Sequence, residues 1–252
     1  MSVVVLKNQC IASGDSNGRI NIWDSTSGSL VKTIKSDSAR FFHLLAVLES
    51  GKLVSDSLDN TIVVWDLMNG RSIRKLQGHT DVIKCIAALR KDKLATGSLD
   101  KTIIIWDAKS GQQLKKLRKN SAGIMSLAAL DDDRLASGLF KEITIWNWKT
   151  GKCLLTIKAH LDSVTSLLGL PENKLVSGSM DETIRVWDTV NGTFVYKLEG
   201  YSGTVWSLCL LKDKFTLAST IDTTIRLWDV STARLIAILP GHTDKVTSLG
   251  WF

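Results

Sequence analysis

An all-β chain made of six copies of one four-stranded unit is expected here on three grounds. Trp23, Trp65, Trp106, Trp146, Trp187 and Trp228 recur at separations of 42, 41, 40, 41 and 41 residues, and a fixed period of that length marks a stacked repeat. Each tryptophan closes a short run rich in β-branched residues, as in Ile62-Val63-Val64-Trp65-Asp66, Ile103-Ile104-Ile105-Trp106-Asp107 and Ile184-Arg185-Val186-Trp187-Asp188, which is the make-up of a strand. The 252 residues are 44% hydrophobic and 23% charged with two prolines, enough for a sizeable core and unlike a disordered, collagen-like or disulfide-stapled chain.

Residues 160–198 show the parts of one unit most clearly. Val164 to Leu168 reads as the first strand, Lys174 to Ser177 as the second, Thr183 to Trp187 as the third and Phe194 to Leu198 as the fourth. Pro171-Glu172-Asn173, Ser179-Met180-Asp181 and Asp188 to Gly192 supply the turns. Gly28, Gly70, Gly111 and Gly151 occupy the last of these turns in other units, where a left-handed backbone costs a side chain more; Ala233 is the exception. A sheet this small has two faces to bury, so the units must stack.

The chain resembles the WD-repeat (WD40) β-propeller family in its unit length and its Trp-Asp signature, over essentially all 252 residues. The resemblance implies one propeller domain over residues 1–252, with six complete four-stranded blades and the start of a seventh repeat at 241–252. Val3 to Leu6 aligns with a first strand, and Gly241 to Leu249 begins a further unit that stops after its own first strand. Either the six blades close into a ring and Val246 to Leu249 competes with Val3 to Leu6 for one place, or the chain is a fragment of a seven-bladed propeller. An unpaired sheet edge invites aggregation, so closure is favoured and six blades is the reading adopted. Under that reading His242 reaches Asn17, beside Ser13 and Trp23.

Histidine, hydroxyl and aspartate recur together, in His79, Thr96, Asp100 and Trp106 and in His160, Ser177, Asp181 and Trp187. A hydrolase would build such a constellation once. Here it is copied at fixed spacing, and the resemblance implies a buried hydrogen-bond network in which histidine bonds the turn aspartate and the hydroxyl and indole extend the chain. The other units depart from it: Tyr201 precedes Asp222, Asn120 and Phe140 replace both partners in the Trp146 unit, and Ser38 precedes the Asp59 unit.

By the same resemblance, three positions per blade look out from the narrow face around the central channel. Two flank the apolar residue that opens the first strand: Phe41 and His43, Val82 and Lys84, Gly123 and Met125, Ser163 and Thr165, Thr204 and Trp206, Lys245 and Thr247. The third precedes the turn aspartate: Ser16, Leu58, Leu99, Leu139, Met180 and Ile221. Five of these last six are large and apolar in a turn where polar residues would cost nothing, which points to an apolar patch for a partner. Phe41, Val82, Met125 and Trp206 fall on the same expected face, and Lys84 and Lys245 stand ready for an acidic or phosphorylated residue.

Other chemistry finds no foothold. Cys10, Cys85, Cys153 and Cys209 are scattered without a C-x-x-C pair, against both a zinc site and a disulfide framework. No phosphate-binding glycine loop, dinucleotide fingerprint, H-E-x-x-H or calcium loop occurs, so no cofactor, metal or small-molecule substrate is expected. No apolar run suits a membrane helix or secretory signal, and a cytoplasmic or nuclear home is expected. The net charge of +7 raises nucleic acid as a partner. However, the densest run, Lys115-Lys116-Leu117-Arg118-Lys119, falls on an outer strand, where lysine guards a sheet edge, and no base-stacking aromatics accompany it.

The expected function is a non-enzymatic protein-interaction scaffold or adaptor within a multiprotein complex, binding peptide segments of other proteins on the apolar central face. The alternatives are a substrate-recognition module of a ubiquitin-ligase-type complex and the sensor array of a larger signalling protein, with direct nucleic-acid binding the least supported.

Overall fold

The computed structural model describes residues 2–6, 9–15, 17–35, 44–118 and 120–250, and every regular element among them is a strand. The first sheet holds β1 (Ser2–Val5), β2 (Cys10–Gly14), β3 (Arg19–Asp24) and β4 (Leu30–Lys35). The second holds β5 (Leu45–Val47), β6 (Leu53–Asp56), β7 (Ile62–Asp66) and β8 (Arg71–Leu76), and the third β9 (Ile83–Leu89), β10 (Lys93–Ser98), β11 (Ile103–Asp107) and β12 (Gln113–Leu117). A seven-stranded sheet follows: β13 (Ser126–Ala129), β14 (Arg134–Gly138), β15 (Phe140–Asn147), β16 (Lys152–Leu170), β17 (Lys174–Ser179), β18 (Ile184–Asp188) and β19 (Phe194–Leu198). The last sheet is β20 (Val205–Leu210), β21 (Thr216–Ile221), β22 (Thr224–Asp229) and β23 (Arg234–Leu239).

Each sheet runs in chain order, neighbour pairing with antiparallel neighbour. The seven-stranded sheet is two units joined, because the 19-residue β16 pairs with β15 through Lys152 to Lys158 and with β17 through Val164 to Leu170. The strand expected over Val164 to Leu168 is thus the second half of a longer one. Lys115, Lys116 and Leu117 lie on β12, the outermost strand of its sheet.

Local chemistry explains the Trp-Asp pair. Asp107 ends β11 and its Oδ1 accepts the amides of Lys109 (2.9 Å) and Ser110 (3.0 Å), while Gly111 donates to the Asp107 carbonyl (2.7 Å) at a φ of 82°. The carboxylate thereby satisfies turn amides that would otherwise face water. Ala233 adopts the same left-handed backbone, at φ 58°, so the exceptional residue keeps the turn and bears the steric cost.

Alternation along the third strand divides the packing. Trp106 packs backward on Val54, Ile62, Val64 and Leu76 of the preceding unit. Ile103, Ile105 and Leu117 pack forward on Leu135 and Trp146 of the next. The innermost strands follow one another around an axis, β1 beside β5, then β9, β13, β16 and β20. They approach closely: a Cβ on Gly97 would lie 2.5 Å from Ile124 Cγ2 and 2.7 Å from Cys85 Sγ.

The two ends of the chain do not compete for one place. Leu249 N–H donates to Ser207 Oγ (3.2 Å), repeating 41 residues on the bond from Leu208 N–H to Ser166 Oγ (3.1 Å), while Leu45 N–H binds Ser2 Oγ (3.2 Å) in the same manner. Val246 N–H also reaches the Asp222 carbonyl (2.8 Å). On its other side Gly250 faces Val3, whose carbonyl oxygen would sit 3.1 Å from a Cβ at that glycine. Val246–Gly250 therefore lies beside β1 as a further inner segment, with the Val246 and Leu249 amides bonded and the first strand keeping its own place. His242 is exposed, with no hydrogen bond to Asn17 among the described residues.

Candidate functional site

Around the axis, the starts of the inner strands and the turns between second and third strands enclose a cavity of about 440 Å³. Its walls bring together Leu58, Val82, Lys84, Trp206 and Thr247 of the expected positions with Leu44, Asp56, Ser57, Asn60 and Ile83. Leu58 and Val82 are 56% and 47% exposed, high for aliphatic side chains. The Lys245 ammonium stands 5.5 Å from the centre of the Trp206 ring, a cation–π contact at the cavity edge. The Trp206 indole N–H is buried without an acceptor among the described residues. Asp56, which sequence reasoning missed, brings a buried carboxylate to the wall, where it accepts the Leu44 amide at 3.0 Å. One signal could have revealed it: Gly14, Gly97, Gly138 and Gly178 follow the hydroxyl residue in four other units, and only this unit puts an acid there.

The remaining expected residues scatter. Leu99 is partly exposed, its amide bonded to the Val82 carbonyl (3.0 Å), and Met125 and Met180 are partly buried; none of the three lines the cavity. Phe41, His43 and Ser16 lie outside the described residues.

Leu139 and Ile221 are corrected. They are 1% and 2% exposed and pack into the cores between units. The cause is a one-residue deletion: hydroxyl and tryptophan are nine residues apart in these two units and ten in the other four. Leu139 and Ile221 therefore stand where Ser98 and Ser179 do, two residues after the hydroxyl and inside the sheet, and in the fourth unit Phe140 emerges instead. Tyr201 likewise packs edge-on against Trp228 (5.5 Å between centroids), under the Arg226 guanidinium.

The repeated histidine sets form closed networks. His79 Nδ1 lies 2.9 Å from Asp100 Oδ2 and its Nε2 2.7 Å from Thr96 Oγ1, which also accepts the Trp106 indole N–H at 2.9 Å. His160 repeats this with Asp181 (2.9 Å), Ser177 (2.7 Å) and, through Ser177, Trp187 (2.8 Å). Both imidazoles have no exposed side-chain surface, so neither set can meet a substrate.

Burial holds the His79 and His160 imidazoles below their ordinary pKa although a carboxylate touches each. They are neutral at pH 7, with Nδ1–H donating to aspartate and Nε2 accepting the hydroxyl proton, a tautomer assigned from the network. Burial alone would raise the Asp100 carboxyl; hydrogen bonds from Thr102, His79 and the Thr80 amide outweigh it and bring the group down to about 2. An unfolded chain takes up protons on histidine near pH ~6.5 and on aspartate near ~3.9. On acidification the unfolded state thus binds protons first. Stability, full above about pH 6.5, falls as the histidines are driven toward their depressed values and falls again between about pH 4 and 2 through Asp100. The urea midpoint is expected to drop from about pH 7.5 to 5, and a His79→Gln/His160→Gln variant to show a flatter profile over that range. A double variant as pH-sensitive as the wild type would contradict this.

Comparison with known proteins agrees with the geometry. Residues 70–107, 151–188 and 192–229 match the family described as "WD domain, G-beta repeat". Among similar proteins, "WD repeat and SOCS box-containing protein 1" of Xenopus tropicalis is 39% identical over 80 residues, which are 31% of this chain and 19% of that protein. "Mitochondrial division protein 1" of Mycosarcoma maydis is 40% identical over 60 residues, covering 24% of this chain and 7% of its own. "Nuclear distribution protein nudF" of Emericella nidulans is 33% identical over 76 residues, 30% and 17% respectively. The chain thus matches less than a fifth of the length of each of these relatives. No helix among the described residues is long and apolar enough to cross a membrane. Three units are thus matched as WD40 repeats, and the others repeat their strand order, turn and tryptophan in the same propeller-like arrangement.

Proposed function

We propose that this propeller is a non-enzymatic protein-interaction scaffold that holds a short peptide segment of a partner protein in the central cavity. The observation that carries the reading is the meeting of Leu58, Val82 and Trp206 at one opening, with Lys84 and Lys245 at the same place. Exposed aliphatic surface beside a tryptophan is the composition of a binding hot spot. An apolar peptide side chain would cover Leu58 and Val82 and lie against the Trp206 ring beside them. The two ammonium groups favour an acidic or phosphorylated residue next to that side chain. Leu99, Met125 and Met180 belong to this reading only as neighbours that a longer peptide would reach. The general role in protein assembly accords with WD-repeat relatives.

Panning a displayed peptide library against the chain tests the proposal. Enriched sequences are expected to pair a large apolar residue with an acidic one. Leu58→Asp and Val82→Asp, at side chains already facing solvent, should fold as the wild type and weaken the selected peptides roughly 30-fold or more, the size of a hot-spot loss of about 2 kcal/mol. Lys84→Glu/Lys245→Glu should weaken only the acidic sequences. Peptides that bind all of these variants as well as the wild type would sink the reading.

A further inference from the structure

Where the outer strand of one unit turns over to cap the next, it forms a corner, and the corner between the fourth and fifth units has a chemistry of its own. Lys141, Lys158 and Arg185 bring three cations to a cleft of about 390 Å³, with Glu142 and Leu161 also on its wall. Arg185 is held in place there, donating to the Ala159 carbonyl (2.8 Å) and the Thr183 hydroxyl (3.1 Å), with Asp181 3.6 Å behind it. Glu142 lies across the ladder from Lys158 and accepts the Ser121 hydroxyl at 3.0 Å. Lys141 and Lys158 are exposed and form no ion pair among the described residues. Beside the cleft, Leu161 is 75% and Phe140 50% exposed. Phe140 pairs with Ser163, two residues from Leu161, so the two apolar side chains are diagonal neighbours on one side of the sheet. The Lys141 ammonium stands 4.8 Å from the centre of the Phe140 ring and joins that pair to the cleft.

The fold does not require this composition. Asn60, Lys101, Lys141 and Glu182 share one left-handed turn position, at φ 58–66°, and Gln77, Arg118, Lys158 and Glu199 share the place just after the outer strand. The second unit thus has two amides at its corner and the fifth two glutamates, where the fourth has two lysines. Thr80, Ser121 and Ser202 stand at the place of Leu161 in other units. The positive charge continues on one side: Lys101 and Arg118 of the third unit are exposed, and Ser121, at that unit's own corner, is the residue bonded to Glu142.

We propose that this corner is a second docking site, for an acidic segment of a partner protein whose carboxylates face Lys141, Lys158 and Arg185 while an aromatic or aliphatic residue beside them covers Leu161 and Phe140. The site shares no residue with the central cavity. Charge complementarity selects the occupant: three cations stand against Glu142 alone on the cleft wall, and they steer an acidic segment and fix its direction. The apolar pair adds the desolvated contact that exposed charges by themselves do not supply. Arg185 is already anchored by two hydrogen bonds, so it loses little freedom when a carboxylate arrives. Nucleic acid fits the corner less well, because Leu161 offers a base no π face to stack on.

The probe is a displayed library of short peptides, panned against the Leu58→Asp/Val82→Asp variant so that the central cavity is spoiled and the corner is read by itself. Enriched peptides are expected to combine several Asp or Glu with one Leu, Phe or Trp, and to bind more weakly as ionic strength rises. Lys141→Glu/Lys158→Glu, made in the same background, should weaken them roughly 10-fold or more. The fifth unit carries glutamate at both of these places, including the left-handed one, so the charge-reversed variant should melt as its parent. Leu161→Ser, which installs the residue of two other corners, should weaken them roughly 5-fold with the charge unchanged. Three results would overturn the proposal: no acidic peptide enriched; selected peptides that bind the charge-reversed variant or Leu161→Ser as tightly as the parent; or a single-stranded RNA of random sequence that binds more tightly than the selected peptides and is lost in the charge-reversed variant.

Discussion

Trp106→Ala is expected to lower the stability of the folded chain by about 3–5 kcal/mol, the range for removing a large aromatic from a packed core. The indole fills the joint between the second and third units, against Val54, Ile62, Val64 and Leu76, and is 2% exposed. Its N–H also holds Thr96 Oγ1, which in turn holds His79. Trp106→Phe should cost less than Trp106→Ala, because it refills most of the volume and only takes the indole donor away from the Thr96 hydroxyl. The informative control is Trp23→Ala. Trp23 makes the same bond to its own hydroxyl, Ser13 Oγ at 2.8 Å, but its ring is only partly buried. Its loss should cost less than half as much in a urea titration of matched variants. Equal losses at the two sites would show that the joints contribute little to what the tryptophans do.

Asp181→Ala should cost about 3 kcal/mol or more, since several buried donors lose one acceptor at once. Asp181 accepts His160 Nδ1–H (2.9 Å), the Leu161 amide (2.9 Å), the Thr183 amide (3.1 Å) and the Thr183 hydroxyl (2.6 Å), with Arg185 3.6 Å away. Asp181→Asn keeps one acceptor oxygen and should recover part of the loss. The loss should shrink toward acid, where the wild-type carboxylate is itself neutralised. Asp222→Ala, in the unit without the histidine, is the contrast: among the described residues its carboxylate has no such set of partners, and the denaturation midpoint should move little. A large effect at Asp222 beside a small one at Asp181 would refute the network as the source of rigidity.

Much of this was legible in the sequence because a repeat states its rule several times. Tryptophan spacing, turn glycines and the His-hydroxyl-Asp sets each encode a local geometry that one unit can specify by itself, whereas Ala233, read as an exception to the glycines, turns out to keep their left-handed backbone. What eluded reading was set by neighbours. Leu139 and Ile221 look like Leu99 in the text, but the missing residue in their turns moves them one place along the strand, and a strand changes face at every step. The fusion of two expected strands into β16 depends on the pairing of Phe140 with Ser163 across two units. Asp56 becomes part of a cavity wall only because residues far away in sequence, Trp206 and Thr247, come to the same opening.

β16 also has a mechanical consequence. Where a loop joins two units, the joint between them can bend, because a loop sets their relative angle only loosely. Between the fourth and fifth units the outer strand of one runs on as the inner strand of the next for 19 residues, paired on both sides. Those two units therefore move as one plate, and bending is left to the looped joints elsewhere.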